Sequence, residues 1–168
     1  MHYTSLYPSP LGTILLAADD IGLTGLWFDG QRNCARTLSV DCREADTPIL
    51  RSAQSWLEIY FQGHEPDFSV PLHLSGTQFQ EEVWALLLRI PYGKTRSYGE
   101  LAMELAKLRG LARMSAQAVG GAVARNPVSI IVPCHRVIGV GGGLTGYAGG
   151  LERKRALLSL EGVEIWES

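Results

Sequence analysis

The sequence predicts an α+β fold, with a small sheet-plus-helix part over residues 1–76 and a mainly helical part over residues 77–168. Three observations predict it. Short β-rich runs crowd the first 28 residues, with turn-forming residues between them. Apolar residues then recur at helical spacing, once after Pro48 and three more times after Thr77. Charge divides at the same place: residues 1–76 carry four Arg against nine Asp or Glu, whereas residues 77–168 carry eleven Lys or Arg against eight Glu.

In the N-terminal part, Tyr3–Tyr7, Gly12–Ala18 and Gly22–Phe28 read as strands. Pro8-Ser9-Pro10 and Asp19-Asp20 read as the turns between them. A polar stretch from Asp29 to Asp46 has no periodicity and reads as a connection. Pro48 opens a helix carrying Leu50, Trp56, Leu57 and Tyr60, which Gly63 ends, and His64–Ser75 reads as a linker.

The C-terminal part begins with a helix capped by Thr77, with Glu81 and Glu82 where the helix dipole favours negative charge. Phe79, Val83, Leu86, Leu87 and Ile90 form its apolar stripe, and Pro91 and Gly93 stop it. A second helix starts near Ser97 and runs through Leu101, Leu105 and Leu108 to Gly110. Ser115 caps a third, Ala116–Arg125, stopped by Asn126-Pro127. This third helix is rich in small residues, among them Ala118, Gly120 and Gly121. Each glycine costs a helix about 1 kcal/mol relative to alanine, so two in a row imply close approach to another helix or to a nucleic-acid backbone. Two short helices with a small-residue second member fit a helix-turn-helix reader; a plain helical bundle is the alternative.

Composition sets bounds on function. A chain of 168 residues, 46% hydrophobic, holds one domain or two small ones. No apolar run approaches the roughly 18 residues of a membrane helix, and the N-terminus has neither a basic nor an apolar leader region. Three cysteines cannot close a disulfide framework, which points to a reducing, cytoplasmic setting. Cys34 and Cys42 lack the spacing of a compact metal pair, so no metal is expected. The overall charge of −2 hides a basic segment. Residues 89–136 hold Arg89, Lys94, Arg96, Lys107, Arg109, Arg113, Arg125 and Arg136 against only Glu100 and Glu104, a candidate phosphate-facing patch or an ordinary solvated surface.

Reactive chemistry concentrates at one place. Ile130-Ile131-Val132 has the composition of a buried strand and runs into Pro133-Cys134-His135-Arg136-Val137. A cysteine attacks only as thiolate and needs a cation or base nearby, and His135 and Arg136 can supply positive potential. Neighbouring side chains on a strand point to opposite faces, so His135 helps Cys134 only if the chain turns or a water relays the proton. A buried, inert cysteine beside a histidine is the alternative for the dipeptide alone.

The run Asn126–Val137 closely resembles the active-site signature of the methylated-DNA–protein-cysteine methyltransferases, the O6-alkylguanine-DNA alkyltransferases. The resemblance continues through Thr145–Gly150, Lys154 and Leu157–Gly162. Upstream it takes in Gln78–Trp84, Ile90–Gly93, Ser97-Tyr98 and Ala118–Ala122, so it covers essentially all of 77–168. It implies a ribonuclease H-like N-terminal domain and a winged helix-turn-helix-like C-terminal one. The implied activity is direct, single-turnover transfer of an alkyl group from O6-alkylguanine, and O4-alkylthymine, in double-stranded DNA to the chain's own cysteine. No cofactor and no obligate protein partner are implied, and the chain is expected to be a monomer.

The resemblance also implies roles. Cys134 is the alkyl acceptor, His135 the base acting through a water, and Glu161 the carboxylate that orients it. Tyr98 donates toward the guanine and helps rotate the nucleotide. Asn126 ties the reading helix to the active-site segment. The carbonyls of Cys134 and Val137 accept from the guanine amino group, Tyr147, Ala148 and Gly149 border the base, and Lys154 belongs to the same wall. Arg136 is assigned a structural role. Ser115, Gln117, Ala118, Gly120, Gly121, Arg125, Arg96 and Tyr98 face DNA. Many family members place an arginine where this chain has Gln117, to fill the gap left by the flipped base; glutamine is shorter and neutral but can still hydrogen-bond the orphaned cytosine. Gly141, Gly142, Gly143 and Gly146 make the Gly141–Tyr147 loop a candidate for tolerating bulky adducts. A lesion-binding protein without transfer and a cysteine hydrolase are the rival functions.

Overall fold

The computed structural model describes residues 1–31, 34, 35, 38, 40–139 and 142–164. These form two compact units, Met1–Ser75 with Pro127–Ser129, and Gly76–Asn126 with Ile130–Ser168. The α+β class expected from the sequence is the observed one.

The first unit is a four-stranded sheet covered by one helix. Strands β1 (His2–Ser9), β2 (Gly12–Ala18) and β3 (Leu23–Phe28) form an antiparallel meander, and β4 (Cys42–Glu44) adds to β1 in parallel, in the order β3-β2-β1-β4. The expected turn at Pro8 is instead part of β1, where Pro8 sits opposite Thr13. Proline is tolerated there because β4 reaches only His2–Thr4, which leaves the outer edge of β1 open beside Pro8. Asp19 makes the second turn, its carboxylate accepting from the backbone N–H groups of Ile21 and Gly22. β4 was not expected: it lies in the polar stretch and all three of its residues are exposed. Residues 32, 33, 36, 37 and 39 of that stretch lie outside the described residues. Helix α1 (Pro48–Phe61) is capped by Thr47 and buries Leu50, Ala53, Leu57 and Tyr60 against the sheet. Val128 lies alongside Leu26 of β3, with Leu26 N–H donating to the Pro127 carbonyl at 2.9 Å.

The second unit is helical. Helix α2 (Gln78–Leu87) has a reciprocal cap between Thr77 and Gln80. A two-residue strand β5 (Arg96–Ser97) leads into α3 (Tyr98–Leu108), capped reciprocally by Ser97 and Glu100. Helix α4 (Ala116–Ala124) is capped by Ser115. Strand β6 (Val137–Ile138) pairs with β5 in parallel, and α5 (Leu151–Leu160) closes the unit. Val83, Trp84, Leu87, Leu101, Leu105, Val119, Leu157 and Leu158 are buried in its core. The indole N–H of Trp84 donates to the Ala122 carbonyl at 2.9 Å, which fastens α2 to α4 and satisfies a buried donor.

Candidate active site

The segment entering the site is not the strand its composition suggests. Residues 130–132 form a turn, and Ile130 sits at φ +70°, a left-handed conformation that a β-branched side chain rarely adopts. Pro133 at φ −82°, ψ 65° makes an inverse γ-turn, closed by Cys134 N–H donating to the Val132 carbonyl at 2.8 Å. Cys134–Arg136 then wind into one short 3₁₀ turn, with the Val137 N–H donating back to the Cys134 carbonyl. The chain therefore turns at the point where Cys134 and His135 need it to.

The elements around that turn fix its partners. The β5–β6 ladder pairs Arg96 with Val137 and Ser97 with Ile138, which sets the first residue of α3, Tyr98, beside the end of the turn. Asn126, just beyond α4, donates from Nδ2 to the Val132 carbonyl at 2.8 Å and also hydrogen-bonds the Cys134 side chain. Glu161 caps the C-terminal end of α5, where its side chain reaches both His135 and Arg136.

Cys134, His135, Arg136, Glu161 and Lys154 are all buried. His135 Nε2 donates to Glu161 Oε2 at 2.6 Å. That bond selects the tautomer with the proton on Nε2 and makes Nδ1 the basic ring atom. Burial pushes the Cys134 thiol above its ordinary value, against the lowering effects of the Asn126 hydrogen bond, the Lys154 charge and two backbone N–H groups. The resting cysteine is a thiol and needs a base. Burial lowers His135; Glu161 raises it, while Arg136 and Lys154 lower it, and the balance lies below the ordinary value, so a neutral imidazole is ready to accept a proton. Burial alone would raise Glu161, but the hydrogen bonds and charges of His135 and Arg136 bring it down to about 2.

Lys154 is wholly buried, and its ammonium donates to the carbonyls of Val137 at 2.6 Å, Thr145 at 2.9 Å and Gly146 at 3.2 Å. Burial lowers it to about 8, with the Cys134 charge acting in the opposite direction. Its Nζ lies 6.0 Å from the Tyr98 ring centre, and the Tyr98 hydroxyl donates to the same Thr145 carbonyl at 3.2 Å. Burial and the Cys134 charge raise Tyr98, so its hydroxyl keeps its proton and remains a donor. Tyr147 and Ala148 are half-buried and Gly149 is buried, in a turn where Gly150 N–H donates to the Tyr147 carbonyl at 2.9 Å. Of the glycine-rich loop, Gly141 lies outside the described residues.

On α4, Val119, Ala122 and Val123 face the core. Gln117, Ala118, Gly121 and Arg125 are exposed, as is the cap Ser115, while Gly120 packs by the Tyr98 ring. The basic segment is less charged than its sequence suggests. Arg96 pairs with Glu104 at 2.9 Å and Glu100 at 3.6 Å, Arg89 with Glu104, Arg109 with Glu82, and buried Arg136 with Glu161. Lys94, Lys107, Arg113 and Arg125 are the members with no carboxylate partner among the described residues.

Sequence reasoning missed two contributors. Gly93 donates its backbone N–H to Glu161 Oε1 at 2.9 Å, at φ +77° and with the Glu161 carbonyl 3.2 Å from where a Cβ would stand. Arg136 grips the Glu161 carboxylate. An isolated arginine next to a histidine carries no local signal of a partner 25 residues away. Among the described residues no group of three or more His, Cys, Asp or Glu could hold a metal ion.

The second unit thus holds a buried thiol beside a histidine–carboxylate pair, and an exposed small-residue helix. Residues 78–163 match the family model described as the DNA binding domain of 6-O-methylguanine DNA methyltransferase, and residues 2–74 match its ribonuclease-like domain. A Methanosarcina acetivorans methylated-DNA--protein-cysteine methyltransferase is 44% identical over 160 residues, 95% of this chain and 98% of the relative. The protein of the same name from Mycobacterium bovis is 46% identical over 162 residues, covering 96% and 92%. The crystal structure of Mycobacterium tuberculosis OGT in complex with DNA is similar at a TM-score of 0.80 and 45% identity, over 95% of this chain and 91% of that one. The chain belongs to the 6-O-methylguanine DNA methyltransferase family.

Proposed function

We propose that this chain repairs double-stranded DNA by moving the alkyl group of O6-alkylguanine, and of O4-alkylthymine, onto Cys134, once per molecule. The observation that carries the residue assignment is the buried Cys134 on the same 3₁₀ turn as a neutral histidine held at 2.6 Å by Glu161. The exposed face of α4, with Ser115, Gln117, Ala118, Gly121 and Arg125, meets the DNA together with the half-buried Gly120 and Arg96. The lesion is inaccessible inside a duplex, so the nucleotide rotates out into the space bordered by Val137, Tyr147, Ala148, Gly149 and Lys154.

In the reaction His135 Nδ1 takes the thiol proton through a water, and the sulfur attacks the alkyl carbon. The C–S bond forms as the C–O6 bond breaks. The electron pair goes to the guanine, whose negative charge is quenched by a proton from Tyr98, whose hydroxyl has turned from Thr145 to the base. The proton held on His135 then makes good the one lost from Tyr98. The product thioether is not reversed by hydrolysis, so the protein is consumed. We take the chain to act as a monomer, in the reducing cytoplasm where three free cysteines, two of them exposed, persist as thiols. No helix of the described residues is long and apolar enough to cross a membrane.

The test is intact-mass measurement after incubation with a duplex containing O6-methylguanine. One methyl gained per chain, and none in Cys134→Ser, is the expected result. Binding without mass gain would identify a lesion-binding protein instead, and repeated turnover of an ester or peptide would identify a hydrolase.

A further inference from the structure

We propose that Arg136 is a positioning residue for alkyl transfer: it grips the Glu161 carboxylate with two bonds and shares its negative charge, so that Glu161 orients His135 without holding it in the protonated form. This rests on the alkyl-transfer reading above.

The geometry is specific. Arg136 Nε donates to Glu161 Oε1 at 2.8 Å and Nη2 to Oε2 at 3.2 Å, a two-pronged grip that lysine cannot reproduce. Each carboxylate oxygen also takes one bond from elsewhere, Oε1 from the Gly93 N–H and Oε2 from His135 Nε2. The third guanidinium nitrogen, Nη1, donates to the Ile90 carbonyl at 2.7 Å, and the group lies 5.7 Å from the Tyr92 ring centre. Arg136 is 8% exposed, so its charge is spent inside the protein and not on a phosphate.

Stability alone does not explain this pair. Burying two charges costs several kcal/mol of hydration per ion, and an apolar pair of the same size usually holds a fold as well. The charges matter for chemistry. A lone carboxylate beside a buried imidazole strongly favours imidazolium, which cannot accept the thiol proton. Arg136 opposes that effect from the same turn and Lys154 opposes it from α5; Cys134, Tyr98 and Tyr92 are further titratable groups at the site. Glu161 keeps its geometric hold on His135 because the arginine answers its charge.

The experiment is single-turnover methyl transfer from an O6-methylguanine duplex between pH 5.5 and 9, for wild type, Arg136→Gln, Arg136→Lys, Glu161→Gln and the Arg136→Lys/Glu161→Gln double variant. Arg136→Gln is expected to move the acidic limb of the rate profile up by about one pH unit, so the rate falls several-fold at pH 5.5 and little at pH 9. Arg136→Lys keeps the charge; its limb stays near wild type, and the rate drops several-fold at every pH because the two-pronged grip is lost. In the Glu161→Gln background, Arg136→Lys should cost nothing further. If Arg136→Gln does not fold, this last comparison decides the matter. A loss from Arg136→Lys that persists undiminished without the carboxylate overturns the proposal, as does a pH-independent loss in folded Arg136→Gln. A wild-type protein that takes no methyl sinks the alkyl-transfer reading itself, whereas normal transfer by wild type and variants alike sinks only the role of Arg136.

Discussion

Lys154 Nζ donates to the Val137 carbonyl across 2.6 Å from a wholly buried position, and Val137 follows directly on the turn that carries Cys134. The same ammonium holds the carbonyls of Thr145 and Gly146, so one charge joins the reactive turn to the loop expected to border the base. This contact carries a pH signature. The folded chain releases the Lys154 proton near pH 8 and the unfolded chain near 10.5. Between those values the unfolded state binds more protons, so this group's contribution to stability rises with pH. In a Cys134→Ser background, the unfolding free energy of Lys154 protein minus that of Lys154→Met should grow by roughly 2–3 kcal/mol from pH 7 to pH 10, measured by urea titration. A pH-independent difference would show that the lysine keeps an ordinary affinity for its proton.

Asn126 joins the other side of the site. Its amide holds the Val132 carbonyl at 2.8 Å and favours the ionised form of Cys134. Asn126→Ala leaves the Val132 carbonyl its bond from Cys134 N–H, so the fold should lose only about 1 kcal/mol. The thiolate loses its donor, and the methyl-transfer rate at pH 7 should fall about tenfold. Burial holds the thiol above its ordinary value, so the missing bond should cost the same factor at every pH up to 9. A rate unchanged from wild type would mean that Asn126 serves only to hold the turn.

The caps and stripes of this chain were legible because they are local. Thr77, Ser97 and Ser115 each cap the helix expected to follow them, and Leu101 and Leu105 are buried as their spacing required. β4 was not legible: an edge strand exposed on both faces needs no apolar residue, and Cys42-Arg43-Glu44 pairs through its backbone alone. Ile130–Val132 misled for the opposite reason. It has the apolar composition of a buried strand, but the left-handed Ile130 and the γ-turn at Pro133 bury it in a bend. Of the site, Cys134 and His135 stood out as a reactive pair, whereas Glu161 came from family resemblance and lies 2.6 Å from His135. The grip of Arg136 and Gly93 on Glu161 depends on contacts 25 and 68 residues apart, which no local pattern encodes.

Gly121 separates folding from DNA contact. It lies inside α4 on the exposed face, and a Cβ there would meet nothing within 4 Å. Gly121→Ala should therefore stabilise the protein by about 0.5–1 kcal/mol, raising Tm by a few degrees. If the glycine is there to let a phosphodiester backbone approach, the same change should weaken duplex binding several-fold, read by fluorescence anisotropy at fixed salt. A stabilised protein with unaltered affinity would remove α4 from the DNA interface at this position.

Gln117 tests the same helix from its N-terminal turn. It is exposed and lies one helical turn from Gly121. An intercalating side chain acts only when a nucleotide is flipped, whereas a charge near phosphate acts on any duplex. Gln117→Arg should thus tighten binding to undamaged duplex modestly, with the salt dependence steepened by about one unit. Binding to an O6-methylguanine duplex by the transfer-incompetent Cys134→Ser protein should tighten further, by about tenfold, because the longer side chain can fill the vacated stack. Equal gains on both duplexes would mean that residue 117 contacts only the backbone. No gain on either would place it away from the DNA, and the flipped state would then have to be held by Tyr98 and its neighbours alone.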